Sequence, residues 1–303
     1  MPTSNNSRNP QRPRAGSQGD KAWPTSPLLQ TGPRSSRGDF PLQQFSELLY
    51  AQTGIFIDDK KHYLLQAKVD RLLMKKRILS YEEYWRLLNQ PNNHTDFQEF
   101  IDMMTTNTTE FFRENDHFDY LRQNFDAIML DNPRIQRNGE VVIWSAASST
   151  GQEPVSLAMV MLELLQSYNL SVRILATDID SQVLHKAIHG VYSKQECVGI
   201  PVPLLQKYFQ PMDSGEYRTT ELLRSVITYR QFNLMNPFRF RYGFDFVFCR
   251  NVMIYFDSLT QQALVEKFYD VLVPGGLFFL GHSESMINKQ HRYKPVTVSI
   301  WAK

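Results

Sequence analysis

Apolar residues recur at helical spacing from Phe40 to about Asn107. Phe45, Leu48 and Leu49 open the pattern, and Leu64, Leu65, Val69, Leu72 and Leu73 continue it. A third segment runs through Tyr84, Trp85, Leu87 and Leu88, and a fourth through Phe97, Phe100, Ile101 and Met104. Polar breaks at Asp58–Asp59, Ser80 and Pro91–Thr95 separate them. A period near 3.6 residues puts such side chains on one face of each helix, so residues 40–107 read as a small helical domain.

After about residue 138 the texture changes. Val141–Trp144 is a short apolar run, followed by a small-residue loop and a helix near Glu153–Leu165. Val172 and Ile174–Ala176 form a second run, followed by a helix near Ser181–Ile188. Phe244–Cys249 and Leu277–Leu280 read as two more buried strands, with a helix at Leu259–Leu272 between them. Lys294–Ala302 alternates like a closing antiparallel strand. Apolar strands alternating with helices predict an α/β domain over residues 108–303, its sheet mainly parallel and covered on both faces. Such sheets bind ligands beyond the carboxyl ends of their strands, near the switch in strand order. Residues 190–232 interrupt the alternation with Gly190, Gly199, Pro201 and Pro203. A hairpin around Asp213–Tyr217, with Tyr217–Thr219 and Val226–Tyr229 as candidate strands, predicts a small, partly antiparallel insertion there.

Composition alters this picture at one end only. Residues 1–39 hold six prolines and many Ser, Gly and Arg among scattered apolar residues. Such a segment cannot bury enough surface to offset its ordering entropy, so a disordered tail is expected. It also holds six basic side chains against Asp20 and Asp39, leaving 27 basic and 29 acidic residues of the chain's 33 and 31. The rest is therefore near neutral, and a generic nucleic-acid binder is not indicated. No stretch approaches the roughly 18 apolar residues of a membrane helix. The N-terminus lacks the apolar core of a secretory signal, so a cytoplasmic protein without membrane insertion is expected. Cys197 and Cys249 show no metal-ligand spacing, and neither they nor the seven histidines form a recognisable ligand set, so no metal is expected.

The candidate chemistry lies at strand ends. From Ser145 to Pro154 the chain reads SAASSTGQEP, whose small side chains let a ligand approach the backbone. The GxGxxG fingerprint is absent, which argues against a dehydrogenase. The second strand ends in Thr177-Asp178-Ile179-Asp180. An acid there suits hydrogen bonding to two ribose hydroxyls, and Asp178 is the candidate. Asp180, directly before the next helix, suits an N-cap. Asn233-Leu234 follows the insertion, and Arg250-Asn251 closes the third buried strand ahead of Tyr255. Polar residues set directly after apolar strands fall where a cleft should open.

Five motifs in order, TNTTEFFRE over residues 106–114, the Trp144–Pro154 loop, Thr177–Asp180, Phe248–Asp257 and Gly281-His-Ser-Glu284, closely resemble the CheR family of chemotaxis receptor methyltransferases. The resemblance covers Phe40 to the C-terminus. The family's loop usually carries two adjacent glutamates; here Gln152 replaces the first and Glu153 retains the second. The resemblance implies a Rossmann-like, S-adenosylmethionine-dependent methyltransferase sheet behind an all-helical N-terminal domain. Its implied activity is protein-glutamate O-methylation on the cytoplasmic domains of chemotaxis receptors, with S-adenosylhomocysteine as product, tuning receptor adaptation.

By the same resemblance, Asn107, Thr109 and Arg113 would lie in the segment that joins the domains and closes over the cofactor. Asn107–Thr109 could alternatively cap a helix. Glu153 would contact the methionine portion, Asp178 the ribose, and Asn233 and Leu234 the adenine. Arg250 and Asn251 would complete the site, with Tyr255 near the transferred methyl. A glutamate side chain with an unperturbed pKa of about 4.3 is already a carboxylate at neutral pH, so no general base is needed. Arg113 and Tyr255 are therefore candidates for orienting it.

Lys61, Lys68, Arg71 and Lys75 share one helix face. That face reads either as a docking surface for an acidic receptor helix or as an ordinary solvated surface. Around Met212–Glu221 the insertion carries only Gly215 in a short loop. Some family members hold a receptor's C-terminal peptide with a glycine-containing loop at this place; here direct binding to the receptor's substrate region is expected instead. Two other readings stay open: the same transfer to a different acceptor, and a methyltransferase-like binding protein without turnover.

Overall fold

Four helices open the chain because their apolar stripes meet. These are α1 (Gln43–Thr53), α2 (His62–Lys76), α3 (Tyr81–Leu88) and α4 (His94–Met104). Gly54, left-handed at φ 73°, ends α1. Ser80 caps α3 by accepting the Glu83 N–H at 3.2 Å, and the Asn93 side chain caps α4 by accepting the Asp96 N–H at 3.3 Å. Phe45, Leu49, Val69, Leu72, Tyr84 and Phe100 form a core of their own. The computed structural model describes residues 41–284, 286 and 290–303, so the expectation for residues 1–39 lies outside the described residues.

Two helices follow, α5 (Asp116–Asp131) and α6 (Arg134–Asn138), then β1 (Glu140–Ala146), α7 (Gln152–Leu165), β2 (Ser171–Asp178) and α8 (Ser181–His189). Next come β3 (Val191–Tyr192), α9 (Val202–Tyr208), β4 (Phe209–Pro211), β5 (Tyr217–Thr219), α10 (Glu221–Val226) and β6 (Ile227–Gln231). The chain closes with β7 (Phe244–Cys249), α11 (Ser258–Val271), β8 (Leu272–Leu280), β9 (Lys294–Pro295) and β10 (Ile300–Ala302). The main sheet runs β6-β2-β1-β7-β8-β10-β9. Its first five strands are mutually parallel, β10 runs antiparallel to β8, and β9 runs antiparallel to β10. This is the mainly parallel, two-faced sheet that the apolar runs predict. Along β1 the period-2 pleat sends Val141 and Ile143 into one core, with α5 and α7, and Val142, Trp144 and Ala146 into the other, with α11.

β1 has β2 on one side and β7 on the other, so the strand order switches direction at β1. A crevice opens beyond the carboxyl ends at such a switch, where the helices that follow the strands turn to opposite faces. A separate three-stranded antiparallel sheet, β3-β5-β4, carries the hairpin around Gly215. The expected partner strand at Val226–Tyr229 does not belong to it. Ile227–Gln231 is instead the parallel edge strand of the main sheet, in register with Ile174–Asp178. Only Ile227 of that strand is buried, so it lacks the continuous apolar run by which a central parallel strand is recognised. Among the described residues no helix is long and apolar enough to cross a membrane.

Trp144 organises the second core. Its ring lies 4.7–5.9 Å, centroid to centroid, from Phe232, Phe238, Phe240, Phe244 and Phe268. Its indole N–H donates to Thr177 Oγ1 at 2.9 Å, tying β1 to β2. Trp144→Ala should therefore lose about 3–5 kcal/mol of unfolding free energy in urea titration. A loss within 1 kcal/mol would contradict this account of the core.

Candidate active site

The crevice at the strand switch is an open cleft with about 1070 Å³ of space, part of it continuous with solvent. It brings together ten residues singled out in the sequence: Asn107, Thr109, Arg113, Glu153, Asp178, Asn233, Leu234, Arg250, Asn251 and Tyr255 all line it. Thr53, the last residue of α1, and Ile55, just beyond it, line it as well and carried no signal in the sequence. Lys61, Lys68, Arg71 and Lys75 are not among its lining residues.

The first wall is the β1–α7 loop. Ala147 and Ser149 adopt left-handed φ values of 63° and 49°, and Gly151 one of 95°. This folds the loop so tightly that the Ser149 N–H reaches Asp178 Oδ2 at 2.8 Å. Asp178 Oδ1 accepts the Asp180 N–H at 2.9 Å. Burial pushes the Asp178 carboxyl up to about 6, against the pull of those main-chain bonds. Asp180 caps α8, accepting the N–H groups of Gln182 (2.8 Å) and Val183 (3.2 Å) on Oδ1. Its Oδ2 accepts Thr105 Oγ1 and Asn107 Nδ2, both at 2.7 Å. Asn107 thus does not cap a helix. It fastens the joining segment onto the β2–α8 turn, and α4 adds to this through Gln98 Nε2 on the Ile179 carbonyl at 2.9 Å.

The second wall is the end of β7. The Arg250 guanidinium, 2 % exposed, donates from Nη1 to Glu153 Oε2 at 3.1 Å and from Nη2 to Glu114 Oε2 at 3.0 Å. Burial pushes the Glu153 carboxyl above its usual range, opposed by Arg250 and by the Ser145 hydroxyl, which donates to Glu153 Oε1 at 2.7 Å. Glu284, quoted in the sequence only as part of a motif, is buried beside this wall. Its carboxylate accepts the N–H groups of Asn251 (2.8 Å), Met253 (2.7 Å) and Gly281 (2.7 Å), so it holds the main chain of the loop that carries Asn251 and Tyr255. Asn233 turns its amide to the backbone, donating to the Gln52 carbonyl at 2.6 Å and accepting the Met235 N–H at 2.9 Å.

The basic face of α2 is only partly free. Lys68 Nζ donates to the carbonyls of Met104 (2.9 Å) and Thr105 (3.1 Å) and closes the C-terminus of α4. Lys75 pairs with Glu99 at 2.6 Å. Lys61 and Arg71 are exposed. Sequence spacing places the four on one face without showing that a neighbouring helix end consumes one of the charges.

The residue sets match known proteins throughout. The family described as CheR methyltransferase, all-alpha domain, matches residues 41–105, and the one described as CheR methyltransferase, SAM binding domain, matches residues 107–301. The chain belongs to the CheR methyltransferase family. Chemotaxis protein methyltransferase 2 of Pseudomonas aeruginosa is 38% identical over 271 residues, covering 88% of this chain and 93% of that one. The chemotaxis protein methyltransferase of Escherichia coli is 35% identical over 273 residues, covering 89% and 92%. That of Borreliella burgdorferi is 34% identical over 248 residues, covering 81% and 88%.

The cofactor of this CheR chain is S-adenosylmethionine, and the cleft suits it chemically. Ser148 Oγ, on the lining, is buried without a hydrogen-bond partner, an orphan that a polar ligand would satisfy. Among the lining side chains Glu110, Glu153 and Asp178 stand against Arg113 and Arg250, an acidic balance that favours a cationic cofactor. Among the described residues one group with metal-ligand chemistry also converges: Glu114, His117 and His282, with ligand atoms within 4.8 Å. Burial and the neighbouring Arg250 charge hold His117 down at about 4, and Glu114 is already taken up by Arg250.

Asp178 gives this cleft a pH signature. In the cofactor-free protein its value of about 6 lies above the unfolded carboxyl's, so the folded state holds the proton more tightly. The group's contribution is complete below about pH 4 and is lost as pH rises to about 6, by about 2–3 kcal/mol. Asp178→Asn should remove that decline from urea unfolding compared at pH 4.5 and 7. An unchanged difference between the two pH values would refute the assignment.

Proposed function

We propose that this chain esterifies glutamate side chains on the cytoplasmic domains of chemotaxis receptors, in the cytoplasm, giving glutamate 5-O-methyl esters and S-adenosylhomocysteine and so tuning receptor adaptation. The observation that carries the reading is the cleft itself, whose walls come from both matched parts and hold Arg113 and Tyr255 together. S-adenosylmethionine supplies the methyl group as an electrophile on a sulfonium.

The acceptor carboxylate, with a pKa of about 4.3, is ionised at neutral pH. Transfer to a carboxylate oxygen would leave the electron pair of the broken carbon–sulfur bond on sulfur and move no proton, so no residue has to act as a base. The chain's task is to align the three atoms and exclude water. In this reading Asn107, Thr109, Glu153, Asp178, Asn233, Leu234, Arg250 and Asn251 border the cofactor, Arg113 orients the carboxylate, and Tyr255 stands near the methyl. Supporting it, Tyr255 is held from the helical side: its carbonyl accepts the Phe56 N–H at 2.8 Å, and Ile55 bridges Phe256 antiparallel. Lys61, just before α2, and Arg71 on it, both exposed, steer an acidic receptor helix. Receptor docking is direct rather than through a C-terminal peptide.

The decisive assay is transfer of radiolabelled methyl from S-adenosylmethionine to receptor cytoplasmic fragments with and without their target glutamates. Base-labile label that disappears with those glutamates is expected. Arg113→Ala and Tyr255→Phe should each cut turnover by at least about tenfold, and normal turnover in either removes its assigned role. Charge reversal at Lys61 and Arg71 should weaken receptor binding more at low salt than at high, with cofactor affinity unchanged. Salt-independent binding, or label on other side chains, would refute this part of the reading.

A further inference from the structure

Glu114 stands one residue after Arg113 and two before α5, and it is not among the residues lining the cleft. Its φ is 54°, and that of Phe112 is 56°, both left-handed. Non-glycine residues are seldom held there unless the surroundings over-determine them, and such strain concentrates at functional sites. Here the surroundings are four donors. Oε2 accepts Arg250 Nε at 3.2 Å and Nη2 at 3.0 Å. Oε1 accepts Asn251 Nδ2 and the His282 N–H, both at 3.1 Å. The Arg250 guanidinium also donates to the Arg113 carbonyl next door.

One carboxylate thus joins the segment between the helical part and the sheet to the ends of β7 and β8. Burial alone would push it up, but the Asn251 bond and the Arg250 charge prevail and hold it below its usual range. Arg250 has a second acid in Glu153, which lines the cleft, whereas Glu114 holds it from outside the lining together with the Arg113 carbonyl. Asn251, itself left-handed at φ 58°, takes its side-chain direction from the same carboxylate.

We propose that Glu114 is a positioning residue for cofactor binding: through Arg250 and Asn251 it couples the shape of the cofactor cleft to the docking of the joining segment. This rests on the reading of Arg250 and Asn251 as cofactor contacts and is independent of the acceptor. Glu114→Gln keeps the shape and removes the charge.

The test is a double-mutant cycle on the full chain, reading S-adenosylmethionine affinity by calorimetry for Glu114→Gln, Arg250→Gln and the pair. Glu114→Gln should bind about tenfold or more weakly, since hydrogen bonds to charged groups are the strong ones. In the Arg250→Gln background the same change should cost no more than about threefold, because a residue acting through another loses its effect with it. A purely structural role would instead lower the unfolding midpoint and leave affinity in place. Unchanged affinity in Glu114→Gln, or fully additive losses in the pair, overturns the proposal. Should Glu114→Gln fail to fold, Glu114→Asp enters the same cycle with the same criteria. Absent receptor methylation would sink the acceptor reading and leave this one intact, whereas a parent chain that binds no cofactor would remove this one.

Discussion

A guanidinium buried to 2 % exposure is the constraint around which the cleft is arranged. Removing such a charge from water costs several kcal/mol, recovered only if its donors are matched by acids in good geometry. Arg250 meets that condition with acids from two places, Glu153 on the first turn of α7 and Glu114 before α5. The joining segment, α7 and the end of β7 are thereby obliged to meet at one point. Glu284 then anchors the main chain that continues from it, through three N–H groups.

The same economy holds the helical part against the sheet. Polar contacts between them fall on the turns that form the cleft: Asp180 with Thr105 and Asn107, Ile179 with Gln98, Asn233 with Gln52, Tyr255 with Phe56. Tyr50 adds its hydroxyl to Asp257 at 2.7 Å. A cofactor in the cleft would therefore touch segments whose orientation depends on both parts. Water exclusion at the reacting atoms and the fit of the two parts become one structural problem.

Much of this was legible in the chain. Strands β1 and β7 announced themselves as apolar runs because both of their faces are buried, β2 by its apolar carboxyl half, and the helices by their 3.6-residue period. Asp180 read correctly as a cap from its place before a helix. β6 escaped because an edge strand buries little, and its alternation passed for a hairpin arm. Lys68 passed for a surface charge because helix spacing cannot show the end of another helix lying within reach of its ammonium. Glu114 and Glu284 stood in quoted motifs without a role, since a carboxylate that binds distant donors leaves no local periodic trace.

By itself the sequence determined the helical part, the strands β1, β2, β7 and β8 with the helices α7, α8 and α11, the family, the cofactor class and the cleft residues that follow directly on strands. These are local properties: periodicity fixes which face is buried, and a strand's carboxyl end fixes which residue meets the cleft. The tertiary structure alone decided which acids share Arg250, which backbone groups Asp178 and Glu284 hold, and which cations of the basic face are bonded to α4. Those depend on contacts between residues far apart in the chain, whose distances and burial arise only once the sheet has closed against its helices.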